Sequence, residues 1–144
     1  MIGFTEKEIG NSILDRMKNI AKVRRELERA GLELPIQIFG SLDTITTPLY
    51  FVAGADIFDG LTWLRFGFKD GQTLYRQNYG VLALSLDTKW HLIDARCWSN
   101  NYYYLKDLEL QMRRFLKGEK FSAFKQHDSL IRDAYNSVAE AVGV

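Results

Sequence analysis

The chain has 144 residues, of which 47% are hydrophobic, 26% charged and 13% aromatic, and 19 basic against 18 acidic groups leave a formal charge of +1. That length is one domain's worth of chain, enough to bury roughly 70% of its unfolded surface, and the apolar content with only two prolines excludes a disordered polypeptide. The near-neutral balance also excludes a generic polyanion binder, which carries a large basic excess.

Thr5-Glu6-Lys7-Glu8 has the spacing of a capping box, a hydroxyl at the N-cap and a carboxylate three residues on. Ile9, Ile13, Met17, Ile20, Val23 and Leu27 then recur at three- and four-residue steps up to a stop at Gly31, which predicts one long amphipathic helix. Its charged run Lys22–Arg29 reads as a solvated face, because Glu26 and Glu28 interleave with the bases. Pro35 introduces Ile36-Gln37-Ile38-Phe39-Gly40, a run of strand length. Thr47-Pro48 opens a short helix, Pro48–Ala53, which ends at Gly54. A second strand, Asp56-Ile57-Phe58, closes on Asp59-Gly60. Strand, brief helix, strand is the order of a βαβ unit and predicts a parallel sheet or barrel segment.

Beyond Gly60 the pattern changes. Leu64, Phe66 and Phe68 alternate and Lys69-Asp70-Gly71-Gln72 supplies a hairpin turn. With Leu74–Tyr79, Val81–Leu86 and Trp90–Ala95 this predicts a small antiparallel meander. Two helices finish the chain. One is capped near Ser99 or Asn100 and buries Leu105, Leu108, Met112, Phe115 and Leu116; the other starts around Ser122 and buries Phe124, Leu130, Ile131, Tyr135 and Val138. The expected fold class is therefore α/β, a partial (β/α)8-barrel-like segment of two strands with a meander and two C-terminal helices, in a single domain over 1–144. The one cysteine, Cys97, cannot form an internal disulfide, no apolar run reaches the ~18 residues of a membrane span, and the N-terminus has no signal-peptide pattern. The expectation is a soluble cytoplasmic protein.

Chemistry is expected between residues 36 and 65, because sites form at the carboxyl ends of parallel strands. Asp59 follows the second strand, beside Gly60, whose lack of a side chain lets a substrate approach the backbone. A carboxylate there serves as nucleophile, general base or metal ligand. Capping of a strand and a turn is the alternative use of Asp56 and Asp59.

The order Phe39-Gly40, then Gly54-Ala55-Asp56-Ile57-Phe58-Asp59-Gly60, then Arg65 resembles the last barrel repeats of the tRNA-guanine transglycosylases. The helix from Asn101-Tyr102-Tyr103-Tyr104-Leu105 through Met112 and Arg113, followed by Gly118 and Phe121, is similar to that family's terminal helix. The likeness is strong over 36–65, weak over 98–124 and slight over 69–96.

The resemblance implies that Asp59 is the nucleophile of an enzyme exchanging guanine for a 7-deazaguanine base in nucleic acid through a covalent ribosyl–aspartate. It implies that Arg65 holds Asp59 ionised or contacts a phosphate, and that Phe39, Gly40, Asp56 and Gly60 bind substrate. For Phe39, ordinary core packing is the competing use. Arg113, Arg114, Lys117 and Lys120 are candidate nucleic-acid contacts, or else complement a helix C-terminus. Tyr102, Tyr103 and Tyr104 offer a docking surface for a rival reading, a non-catalytic accessory subunit, or simply pack the helix.

The sequence departs from the family in three respects. That family holds a structural zinc with three cysteines and a histidine, whereas only His91 and Cys97 stand in the corresponding stretch and Asn100 replaces the histidine, so no metal and no cofactor are expected. Gly60 replaces a cysteine and Trp63-Leu64 replace Pro-Thr, which points to a divergent branch acting on tRNA or DNA. Finally, a whole barrel takes about 250 residues. The expected chain is the C-terminal portion of a larger or split enzyme, completed by a complementary barrel polypeptide or by self-association, and inactive alone.

Overall fold

Ile2-Gly3-Phe4-Thr5 alternates apolar and small or polar side chains and forms strand β1 (Ile2–Thr5) in a computed structural model that describes residues 1–143. At its end the Glu8 carboxylate accepts from the Thr5 backbone N–H at 2.7 Å and the Thr5 hydroxyl at 2.9 Å, starting the single turn α1 (Glu6–Ile9). The capping residues are those expected, but the helix they start is not continuous. Gly10 takes φ 151, and a Cβ there would stand 3.0 Å from the Arg16 nitrogen, so the chain breaks and restarts. Ser12 caps the restart by accepting from the Asp15 N–H at 3.1 Å, and α2 (Ile13–Arg29) buries Met17, Ile20 and Leu27.

Strand β2 (Ile36–Phe39), helix α3 (Thr46–Val52) and strand β3 (Ile57–Phe58) follow. Helix α3 begins two residues before the proline because Asp43 Oδ1 accepts from the backbone of Ile45 at 2.8 Å and of Thr46 at 2.6 Å. The sheet is parallel in the order β1-β2-β3, with Ile2 opposite Ile36, Phe4 opposite Ile38, and Ile38 opposite Phe58. The parallel sheet thus has three strands, where two were expected. β1 escapes notice in the sequence because four residues ending in a helix cap read as the cap's lead-in.

The expected meander shrinks to one hairpin. A single turn, α4 (Thr62–Arg65), leads into β4 (Phe66–Lys69), which pairs antiparallel with β5 (Gln72–Tyr75). Asp70 and Gly71 have φ 50 and 77, the left-handed pair that a two-residue hairpin turn requires. The segments expected as further strands are helical: α5 (Arg76–Ala83) and the start of α6 (Trp90–Leu116), which begins ten residues before the predicted cap. Ile93, Cys97, Asn101, Leu108 and Gln111 are its buried residues, spaced for one continuous helical stripe. Three- and four-residue periodicity prevails over the β-propensity of Tyr79, Val81 and Trp90. A short 3-10 turn, Phe121–Ala123, precedes α7 (Asp128–Val142), so the last helix starts later than predicted, and Leu130 is 46% exposed while Ile131 and Val138 are buried.

Ile2, Phe4, Ile36, Ile38 and Phe58 face one side of the sheet and pack into the main core with α2, α3 and α7. Phe115 joins α6 to this core through Phe51, Phe121 and Phe124, at ring-centroid distances of 6.2, 5.1 and 5.5 Å. The hairpin is held to α6 separately. Asn101, fully buried, accepts from the Phe68 N–H at 2.8 Å and donates to the Trp63 and Phe66 carbonyls at 2.8 and 2.7 Å. Beside it the Phe68 ring meets Tyr104 edge-on at 5.6 Å.

Burial pushes the Tyr104 phenol up to about 12. Since the folded state resists ionisation that the unfolded chain undergoes near pH 10, the stabilising contribution is complete below that value. It is lost as the pH rises from 10 towards 12. Urea titrations are expected to show stability falling over that interval, with a visibly shallower fall in Tyr104→Phe.

Candidate functional site

Three parallel strands end at one edge of the sheet, so Thr5, Phe39 and Asp59 emerge side by side. Strand alternation puts Gly3, Thr5, Gln37, Phe39 and Ile57 on the face opposite the core. Among the described residues no element seals this face: Phe39 is 42% and Ile57 38% exposed. The Phe39 ring lies across Gly3, where an added Cβ would stand 2.4 Å from Cε2, so the missing side chain gives the ring its seat. Phe39 is therefore not in the core, and its ring rests on β1.

Asp59 is exposed and fixed at both carboxylate oxygens. Oδ1 accepts from the Gly40 N–H at 3.0 Å and Oδ2 from Gln37 Nε2 at 2.7 Å. Gly40 turns at φ 74 with nothing within 4 Å of its would-be Cβ, so that side of the turn is uncrowded. Gly60 serves a different purpose from the one its position suggests. A Cβ there would lie 3.2 Å from the Leu42 nitrogen, so the glycine lets the loops after β2 and β3 close on each other. With two hydrogen bonds and no ion pair among the described residues, the Asp59 carboxylate is oriented yet keeps lone pairs for a third group.

The other expected site residues fall elsewhere. Asp56 precedes β3 and so lies at the opposite end of the strands. It accepts from the Ile36 N–H at 2.8 Å and from Arg24, whose guanidinium also bonds the Gly54 and Leu34 carbonyls. Its place is structural, a tie between the starts of β2 and β3. Arg65, the exposed last residue of α4, makes no ion pair or side-chain hydrogen bond among the described residues, and the groups that hold Asp59 are Gln37 and Gly40 instead. Arg113 pairs with Glu109 on its own helix at 2.9 Å, while Arg114, Lys117 and Lys120 are exposed around the end of α6, where cations complement the helix terminus.

Gln37 and Gly3 were not singled out in the sequence. The available signal was a lone amide inside Ile-Gln-Ile-Phe, two residues from Phe39 and hence on its face. An apolar groove of about 620 Å3 opens at the outer edge of β3, between Ile57 and Phe58 on one side and Leu105, Met112 and Arg113 of α6 on the other. Cys97 is buried against Tyr79 and Ile93, with its thiol pushed up by burial, and Asn100 donates to the Phe68 carbonyl at 2.7 Å. Among the described residues no group of three or more His, Cys, Asp or Glu side chains is gathered as a metal site, and no helix is long and apolar enough to cross a membrane. Compared with protein-family models, with curated proteins and with solved structures, the chain matches none.

Proposed function

We propose that this chain is the C-terminal portion of a transglycosylase-like enzyme that replaces guanine by a 7-deazaguanine base in tRNA or DNA, with Asp59 as nucleophile. The observation that carries the reading is the exposed Asp59 carboxylate at the carboxyl end of β3, held by Gly40 and Gln37, with Phe39 exposed at the end of the neighbouring strand. One carboxylate oxygen attacks C1′ of the ribose. The C1′–N9 bond breaks, its electron pair leaves with guanine, and guanine takes up a proton. N9 of the incoming base then attacks C1′, loses its proton and expels the carboxylate. The short-lived ester divides one hard displacement into two easier ones, and attack from opposite faces in turn keeps the original configuration.

Three strands make less than half a barrel, and β1 and β3 are sheet edges with one strand neighbour each. The proton donor and acceptor and the remaining cavity wall are therefore assigned to a complementary barrel polypeptide, or to a further copy of the chain. The groove beside β3 is where such a polypeptide adds a strand and covers α6. The alternative is a non-catalytic accessory subunit, for which Tyr102 and Tyr103, 52% and 69% exposed, offer the docking surface.

The test is the covalent intermediate. The chain is combined with the completing polypeptide and guanine-containing nucleic acid, quenched in denaturant and mapped by mass spectrometry. A ribosyl ester on the peptide bearing Asp59 is expected. Base exchange with the ester on the other polypeptide would overturn the reading and leave this chain as the accessory.

A further inference from the structure

We propose that the cleft between the β4–β5 hairpin, α5 and α6 is a binding site for a small aromatic carboxylate. This does not rest on the reading of Asp59. The cleft encloses about 500 Å3, within the range of small-molecule sites. Its longest wall is α6, where Arg96, Asn100, Tyr104, Asp107 and Gln111 recur at three- and four-residue steps and so share one helix face. Phe68 of β4 and Tyr79 of α5 form the inner side.

Most polar groups of the lining are spent on one another. Asn100 donates to the Phe68 carbonyl at 2.7 Å, Gln111 donates to Asp107 at 2.8 Å, and Lys125 donates to both Asp107 oxygens. Three groups are unspent. The Tyr79 and Tyr104 hydroxyls make no hydrogen bond among the described residues, although Tyr79 is only 3% exposed. Among those residues Arg76 alone has side-chain atoms both sealed and unpartnered, so the Tyr79 hydroxyl is reached from outside, through the cleft the residue lines. The exposed Arg96 guanidinium likewise has no ion pair and no hydrogen bond among the described residues.

Charge and shape identify the ligand. Lys69 pairs with Asp70 at 3.3 Å and Lys125 with Asp107 at 2.8 Å, which leaves Arg96 as the one surplus charge of the lining. A single carboxylate matches that guanidinium's planar fork, whereas a doubly charged phosphate ester is opposed by Asp70 and Asp107. Phe68, Leu82 and Ala83 offer no side-chain polar atom, so the body of the ligand is apolar. About 12 Å of helix axis separates Arg96 from Tyr104, a span suited to a two-ring acid lying along α6. The Tyr104 phenol, pushed up to about 12, keeps its proton and donates to an oxygen at the far end of such a ligand.

The test follows backbone amide shifts of the whole protein as 6-hydroxy-2-naphthoate is added. Saturable shifts are expected at 68–70, 79–83 and 96–107, with a dissociation constant at or below about 1 mM. The uncharged 6-hydroxy-2-naphthamide is expected to bind at least about tenfold more weakly, and 2-naphthyl phosphate, doubly charged at about pH 8, also more weakly than the carboxylate. Arg96→Gln is expected to weaken binding at least about tenfold and Tyr79→Phe about threefold. Circular dichroism should stay unchanged, since Arg96 is exposed and the Tyr79 hydroxyl bonds nothing in the chain. Absence of saturable shifts, equal affinity for the amide, or binding indifferent to both substitutions overturns the proposal. So does tighter binding of 2-naphthyl phosphate, which would assign the cleft to phosphate esters.

Discussion

Asp59→Asn is expected to lower base exchange by the completed enzyme at least about 10^4-fold, since it removes the group that forms the covalent bond, while nucleic-acid affinity changes little. The substitution preserves shape. The asparagine Oδ1 still accepts from the Gly40 N–H, and Gln37 can turn its amide over and accept from the new NH2, so the hydrogen bonds at 3.0 and 2.7 Å both have a counterpart. An amide oxygen is a far poorer nucleophile than a carboxylate, and that difference is isolated by the swap. The measurement pairs labelled-base incorporation with a binding titration of the same nucleic acid. Loss of exchange with retained binding places Asp59 in the chemistry. Exchange within tenfold of wild type removes it and transfers the nucleophile to the completing polypeptide. Loss of both would mean that the exposed carboxylate holds nucleic acid, or shapes the loop ends, instead of reacting.

How much of this was legible in the sequence depended on whether the signal was local. The strand at 36–39 and the turn at Asp70-Gly71 carry their own punctuation and lie where the residues predict, while the helix expected at Pro48–Ala53 forms over Thr46–Val52, drawn forward by the Asp43 carboxylate. The meander did not survive, because Tyr79, Val81 and Trp90 favour strands individually while the buried stripe from Ile93 through Gln111 exists only on a helix. β1 was hidden for the opposite reason: four residues have too little pattern to declare a strand until Ile36 and Ile38 lie opposite Ile2 and Phe4.

The candidate site was legible in part. Asp59 and Phe39 could be placed at strand ends by counting, and so could Asp56, the first residue of the expected strand; the resemblance grouped it with the substrate-binding residues, whereas it ties the strand's start to Arg24. A motif read along the chain gives spacing, and the two aspartates of this one belong to opposite ends of a strand. Gln37 was legible only as a lone amide on the strand face that carries Phe39. Its meaning came from the register that brings β2 alongside β3 and sets Nε2 against Asp59.

Asn101→Leu is expected to destabilise the protein by about 3–5 kcal/mol, a large share of the ~5–15 kcal/mol that holds a domain together. The side chain is fully buried, so no water replaces it, and it satisfies three backbone groups at once, the Phe68 N–H and the Trp63 and Phe66 carbonyls. Leucine branches at the same carbon as asparagine and is larger, so it leaves no cavity, and the loss registers as three orphaned polar groups with some crowding added. Asn101→Asp is expected to be at least as damaging: a carboxylate can still accept from Phe68 but sets oxygen against the two carbonyls that the amide now serves. Asn100→Ala is the internal comparison, since that neighbour makes one bond, to the Phe68 carbonyl at 2.7 Å, and is partly exposed; about 1 kcal/mol is expected. Urea midpoints measure all three, and amide exchange across 63–69 shows where the loss falls. Because Asn101 ties α4 and β4 to α6, fast exchange there with protection retained in β2 would mark the hairpin as the part released first. An Asn101→Leu midpoint corresponding to less than 1 kcal/mol would mean that the three backbone groups find other partners, and that packing of Phe68 on Tyr104, not the buried amide, holds the hairpin to the long helix.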